Sequence, residues 1–120
     1  MFSFLNKNQK LAIIGTGYWG SIIIKNLIGL GFKNITVLDK NIKKIKIIKK
    51  KFNILKIENN FSKILKDKNF HNIFVITPPS ENFEIVKNLI KFNKNIFLEK
   101  PGFHRFNDLT KIQKYLKNSK

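Results

Sequence analysis

Residues Gly15-Thr16-Gly17-Tyr18-Trp19-Gly20 set three glycines at the spacing G-x-G-x-x-G. They follow the apolar run Leu11-Ala12-Ile13-Ile14 and open a helix-period segment. A strand before and a helix after is the setting in which this motif binds a dinucleotide. The first glycine turns the chain tightly off the strand. The second lets backbone approach a pyrophosphate, and the third lets the helix pack close to the sheet. Amide N–H groups at the helix start then face the phosphates, aided by the positive end of the helix dipole. Thr16, Tyr18 and Trp19 complete the loop as candidate contacts. The plainer alternative is an ordinary glycine-rich turn, so the other strand ends must decide.

Three further stations carry chemistry. Asp39 ends the run Val37-Leu38-Asp39, about twenty residues past the glycines, where a carboxylate accepts hydrogen bonds from an adenosine ribose. A carboxylate there repels a 2′-phosphate, which favours NAD over NADP, and Lys40 and Lys43 soften the preference. An aspartate serving only to cap the next helix is the alternative. Thr77-Pro78-Pro79 makes a stiff turn over the crevice, after which Ser80 is expected to cap a helix beginning near Glu81. Glu99-Lys100-Pro101-Gly102 ends another apolar run, with Glu99 and Lys100 read as an ion pair where a nicotinamide would lie. A lysine there can donate to a substrate oxygen and stabilise negative charge that develops during hydride transfer.

Composition narrows the classes. A chain of 120 residues is one domain. It holds no cysteine, which excludes disulfides, thiolate metal sites and cysteine nucleophiles. Its two histidines, His71 and His104, stand far apart, so no metal site is expected. The apolar opening Met1-Phe2-Ser3-Phe4-Leu5 is too short for a signal-peptide core, and no run reaches the roughly 18 residues of a membrane span. A cytoplasmic protein without membrane contact is the expectation. The formal charge of +17 invites a nucleic-acid reading. Against it, Arg105 is the only arginine, the residue type that grips phosphate and reads bases. Lys, Asn and Ile are in excess together, as A/T-rich codons alone would produce. The field still speeds arrival of an anionic ligand.

The elements that must position these residues alternate along the whole chain. Strands are expected at Lys10–Ile14, Asn34–Leu38, Ile54–Ile57, Asn72–Ile76 and Asn95–Leu98, several of them continuous apolar runs. Helix-period segments follow each one. Trp19–Leu30 repeats Ile23, Leu27 and Leu30 and ends at Gly31, a left-handed C-cap. Asn41–Lys51 aligns Ile45, Ile48 and Phe52, with lysines over its other faces. Phe61–Lys66 is a short helix. Glu81–Phe92 repeats Phe83, Val86 and Ile90, and Phe106–Lys117 repeats Leu109, Ile112 and Leu116. Strict alternation predicts an α/β, Rossmann-like fold: a doubly wound parallel sheet of five strands in the order 3-2-1-4-5. Its ligand lies at the carboxyl ends of the strands.

Together the glycine loop, Thr77-Pro78-Pro79 and Glu99-Lys100-Pro101 resemble the amino-terminal domain of the Gfo/Idh/MocA oxidoreductases, from about Lys10 to the last helix. The resemblance implies a cofactor site built from Gly15, Thr16, Gly17, Tyr18, Trp19, Gly20, Asp39, Thr77, Pro78, Glu99 and Lys100. It implies that Lys100 meets both nicotinamide and substrate as the catalytic residue. The Tyr18-Trp19 pair is similar to members that act on sugars or sugar nucleotides. Asn82 stands where the family commonly has a histidine. Family members also continue into a substrate and dimerisation domain that these 120 residues lack, so residues 1–120 are expected to form the dinucleotide-binding domain alone.

The expected function is the NAD-binding half of an enzyme moving a hydride between a nicotinamide and a sugar or sugar-nucleotide hydroxyl. Alternatives are a stand-alone dinucleotide-binding or regulatory module and, more remotely, a basic nucleic-acid-associated protein. Strand 5 would be an uncovered edge, a feature that proteins pair or protect, so self-association or a partner chain is expected there.

Overall fold

The structure, a computed structural model, describes residues 6–118. The opening residues Met1-Phe2-Ser3-Phe4-Leu5 lie outside the described part. Strand and helix alternate throughout: β1 (Lys10–Ile14), α1 (Tyr18–Gly29), β2 (Ile35–Leu38), α2 (Ile42–Lys51), β3 (Lys56–Ile57), α3 (Phe61–Lys66), β4 (Phe70–Val75), α4 (Pro79–Lys91), β5 (Asn95–Leu98) and α5 (Phe106–Asn118). The sheet runs β3-β2-β1-β4-β5 with every pair parallel, as the alternation predicts.

β1 is central because both of its faces are apolar. Leu11 and Ile13 meet Ile24 and Leu27 of α1 and Ile45 and Ile48 of α2 on one side. Ala12 and Ile14 meet Ile64 and Leu65 of α3 and Leu89 of α4 on the other. Truncating a fully buried residue such as Ile13 to alanine costs about 2–5 kcal/mol, a large share of a small domain's stability. In register, Ile13 lies between Val37 and Phe74, and Phe74 continues to Phe97 at the β5 edge.

The helix ends follow local chemistry. Asn41 caps α2, its side chain accepting from the N–H groups of Lys43 at 3.0 Å and Lys44 at 3.3 Å. Asn60 caps α3 in the same way through Ser62. Gly31, at φ +97°, closes α1: Phe32 N–H donates to Leu27 O and Gly31 N–H to Ile28 O. That turn corrects the expected face of α1. Leu30 is the capping residue and points outward, while Phe32 beyond the glycine takes the buried place. Ser80 does not cap α4 either. The helix starts at Pro79, whose ring presets the first helical φ and whose missing N–H needs no partner there. β4 begins earlier than expected and takes in His71, which is exposed at the end far from the strand carboxyl termini. In α5 only Ile112 is buried; Leu109 and Leu116 face solvent beside β5.

Candidate functional site

The carboxyl ends of β1, β2, β4 and β5 open into one cleft of about 940 Å³. That is the upper range of small-ligand sites. Gly15, Gly17, Tyr18 and Trp19 form its floor, Asp39 one end, Thr77 and Pro78 the middle of a wall, and Glu99 and Lys100 the other end. Thr16 and Gly20 stand behind this surface, both buried.

The three glycines do different work. Gly15 has φ +100°, and a Cβ there would sit 2.7 Å from the backbone carbonyl of Ile76. Gly20 packs on the carbonyl oxygen of Gly15 so closely that a side chain would collide with it. Both are fixed by the protein's own packing. Gly17 is not: its φ of −74° suits any residue, and a Cβ would meet only Lys44 Nζ, at 3.9 Å. The space above Gly17 is open and lies beside the first N–H groups of α1.

Asp39 is the second fixed point. Its Oδ2 accepts from Thr16 N–H and Thr16 Oγ1, both at 2.9 Å, and its Oδ1 accepts from Asn41 N–H at 2.8 Å. Partial burial pushes the carboxyl up. The hydrogen bonds from Asn41 and Thr16, with the charge of Lys44, outweigh that and hold it below the ordinary carboxylate value. An ionised Asp39 thus bridges the glycine loop and the start of α2, and Asn41, not Asp39, is the helix cap.

The cleft also contains residues that sequence reasoning missed. Lys44 faces both Asp39 and Gly17, five positions after Asp39 on the first turn of α2. Asn59, Phe61 and Ile85 also line the cleft. Only the strand and helix pairing brings these distant segments together. Lys40 forms an ion pair with Glu81 of α4, spanning the mouth of the cleft. Glu99 and Lys100, by contrast, are not paired: among the described residues the ion pairs are Lys40–Glu81 and Lys10–Asp67. Glu99 follows the end of β5 and Lys100 stands in the turn after it, so adjacency in sequence did not make a pair. Tyr18 and Trp19 are 76% and 58% exposed and meet edge to face, ring centres 5.3 Å apart. They offer an aromatic surface at the rim.

The Lys100 loop is a pinned turn. Glu99 N–H donates to Val75 O at 3.1 Å, and Gly102 N–H closes the turn onto Glu99 O at 3.0 Å. Asn82, buried in the first turn of α4, donates from Nδ2 to Gly102 O and accepts at Oδ1 from Thr77 Oγ1 at 2.5 Å. The Lys100–Pro101 peptide is cis. His104 lies exposed in the loop beyond, away from the cleft. No group of three or more His, Cys, Asp or Glu among the described residues is placed to hold a metal ion. No helix among them is long and apolar enough to cross a membrane. A second groove, about 590 Å³, runs between α4, β5 and α5 and is lined largely by Val86, Ile90, Ile96, Leu98, Leu109 and Leu116.

Among solved structures the chain is similar to an NAD-binding protein from Listeria innocua, at 24% identity and a TM-score of 0.76, covering 94% of this chain and 33% of that one. It is also similar to myo-inositol 2-dehydrogenase from Lactobacillus plantarum (22%, TM-score 0.79, 93% and 34%). The WlbA dehydrogenase from Bordetella pertussis, in complex with NADH and UDP-GlcNAcA, aligns at 15% identity and TM-score 0.78, over 94% and 34%. At such identities the likeness shows the fold, and the chain spans about a third of the length of each protein. No curated protein matches significantly. The oxidoreductase family with an NAD-binding Rossmann fold matches residues 9–120. A match over nearly the whole length, on a sheet of the expected order, assigns the chain to the Gfo/Idh/MocA oxidoreductases, of which it forms the NAD-binding Rossmann domain.

Proposed function

We propose that this domain holds NAD(H) across the strand ends and serves the nicotinamide side of a dehydrogenase acting on a sugar or sugar-nucleotide hydroxyl. The open face of Gly17 carries the reading, since it is the one glycine of the motif that the protein's own packing leaves free. Gly17 and the start of α1 would hold the pyrophosphate, Asp39 the ribose, and Thr77, Pro78, Glu99 and Lys100 the nicotinamide end. The cofactor, when bound, supplies the hydride chemistry. Lys100 is exposed and carries a donor to the end of the cleft, where it would hold the reacting oxygen and steady its negative charge. The sugar reading is supported by the inositol and sugar-nucleotide relatives and by the exposed Tyr18-Trp19 rim. Preference for NAD over NADP rests on ionised Asp39, tempered by Lys40 and Lys44.

Substrate binding falls to a further domain, of this or another polypeptide, and residues 1–120 act as the dinucleotide half. Among the described residues the outer edge of β5 is unpaired and Phe97 is 60% exposed, which supports self-association or a partner chain along that edge. The deciding experiment is fluorescence titration with NADH. Micromolar or weaker binding is expected, lost in Gly17→Ala and kept in Gly29→Ala, where an added methyl meets nothing. Equal affinity of the Gly17→Ala chain would remove the site from this loop.

A further inference from the structure

We infer that Asn82 is a positioning residue: by tying the Thr77 turn to the Glu99–Gly102 turn, it sets the nicotinamide end of the cleft and with it Lys100. The inference rests on the dinucleotide reading above.

The two turns leave different strands, β4 and β5, and the path between them runs through all of α4. At the β4 side the chain is held by its close packing on Gly15. At the β5 side Glu99 N–H is bound to Val75 O, but beyond Glu99 the loop has left the sheet. Asn82 supplies the missing link to Gly102 O. Its chemistry is specific to the place. Thr77 presents a hydroxyl that donates, and Gly102 presents a carbonyl that can only accept. One buried side chain must therefore offer an acceptor and a donor at once, and an uncharged amide does so without burying a charge. A leucine of similar size offers neither, and an ionised aspartate offers no donor. Lys100 lies between the two fixed points of its turn, Glu99 and Gly102, so releasing Gly102 frees the segment that carries the ammonium group. Asp39, Gly17 and Lys44 at the other end touch none of these atoms.

The test compares NADH with ADP-ribose, which lacks the nicotinamide, on the 120-residue chain. In Asn82→Asp at pH 8, NADH affinity is expected to fall about tenfold while ADP-ribose stays within twofold. Asn82→Leu, which offers neither donor nor acceptor, should reproduce the selective loss. Parallel loss of both ligands in Asn82→Asp, or no loss of either, overturns the inference and leaves the cofactor site standing. An unmodified chain that binds neither ligand overturns both readings.

Discussion

The Asp39 carboxylate grips Thr16 twice, through its backbone N–H and its hydroxyl, with a single oxygen atom. The residue proposed to read the ribose is thus also the residue that shapes the glycine loop. In that reading, binding and loop geometry are coupled at one side chain.

This coupling predicts how cofactor preference responds to mutation. NADH is expected to bind more tightly than NADPH. Asp39→Ala should narrow the gap and weaken NADH ten- to a hundredfold, since hydrogen bonds to a charged group are worth about 1.5–3 kcal/mol. Thr16→Val keeps the carboxylate and should lower affinity for both cofactors without changing their ratio. Titration of the two cofactors against each variant checks this, and equal affinities in the unmodified chain would contradict it.

Acid should loosen the same loop. The Asp39 carboxyl titrates below its ordinary value in the folded chain, so its stabilising bonds are complete above the unfolded-state value near 3.8. They are lost as pH falls through the lower folded-state value. Asp67 is lowered too, first by the hydrogen bond from Asn69 N–H and then by Lys10. Stability measured by chemical denaturation should therefore be flat near neutrality and fall below about pH 4. The Asp39→Asn chain should show a shallower acid slope.

The glycines should separate by phenotype. Gly15→Ala forces a left-handed residue costing about 1–2 kcal/mol, before its clash with Ile76 is counted. Gly20→Ala drives a methyl into Gly15 O. Both should lower the thermal midpoint by several degrees, whereas Gly17→Ala should melt like the unmodified chain while failing to bind NADH.

The isolated chain should show no dehydrogenase turnover with sugars or sugar nucleotides. Hydride transfer needs the donor carbon held roughly 3–3.5 Å from its acceptor and a group to take the proton. In the reading proposed above Lys100 would meet the reacting oxygen, and holding the donor carbon falls to the substrate domain. Adding a substrate domain from a related protein should produce turnover that Lys100→Ala removes. Turnover by the 120-residue chain alone would overturn the division of labour.

At the β5 edge, sedimentation velocity should reveal dimers or larger species at high protein concentration. Leu109→Glu with Leu116→Glu, both on exposed positions of α5, should shift them toward monomer without loss of NADH binding. An unmodified chain that stays monomeric at millimolar concentration would refute association through this face.

Strand order and the motif positions were legible because each rests on contiguous residues: an apolar run, a glycine, a cap. Some failures were local, where neighbouring cues compete, and others needed distant segments. Ser80 reads as a cap until Pro79 is seen to start the helix itself. Leu30 continues a helical stripe that Gly31 has already ended. Lys44 sits among unremarkable lysines in sequence, and only folding sets it against Gly17. Asn82 was noticeable as a residue, but its partners Thr77 and Gly102 lie five and twenty positions away, and the tie exists only once α4 returns to the sheet.

With 24 Lys and Arg against 7 Asp and Glu, the net charge of +17 has no acidic counterpart within the chain. Ionic strength should consequently act on this chain in opposite directions. Added salt screens the attraction that draws an anionic cofactor to the cleft, and it equally screens the repulsion that holds copies apart. Raising it should weaken dinucleotide binding while strengthening contact along the apolar β5 edge, so that a single buffer variable trades occupancy of one end of the sheet against cover for the other.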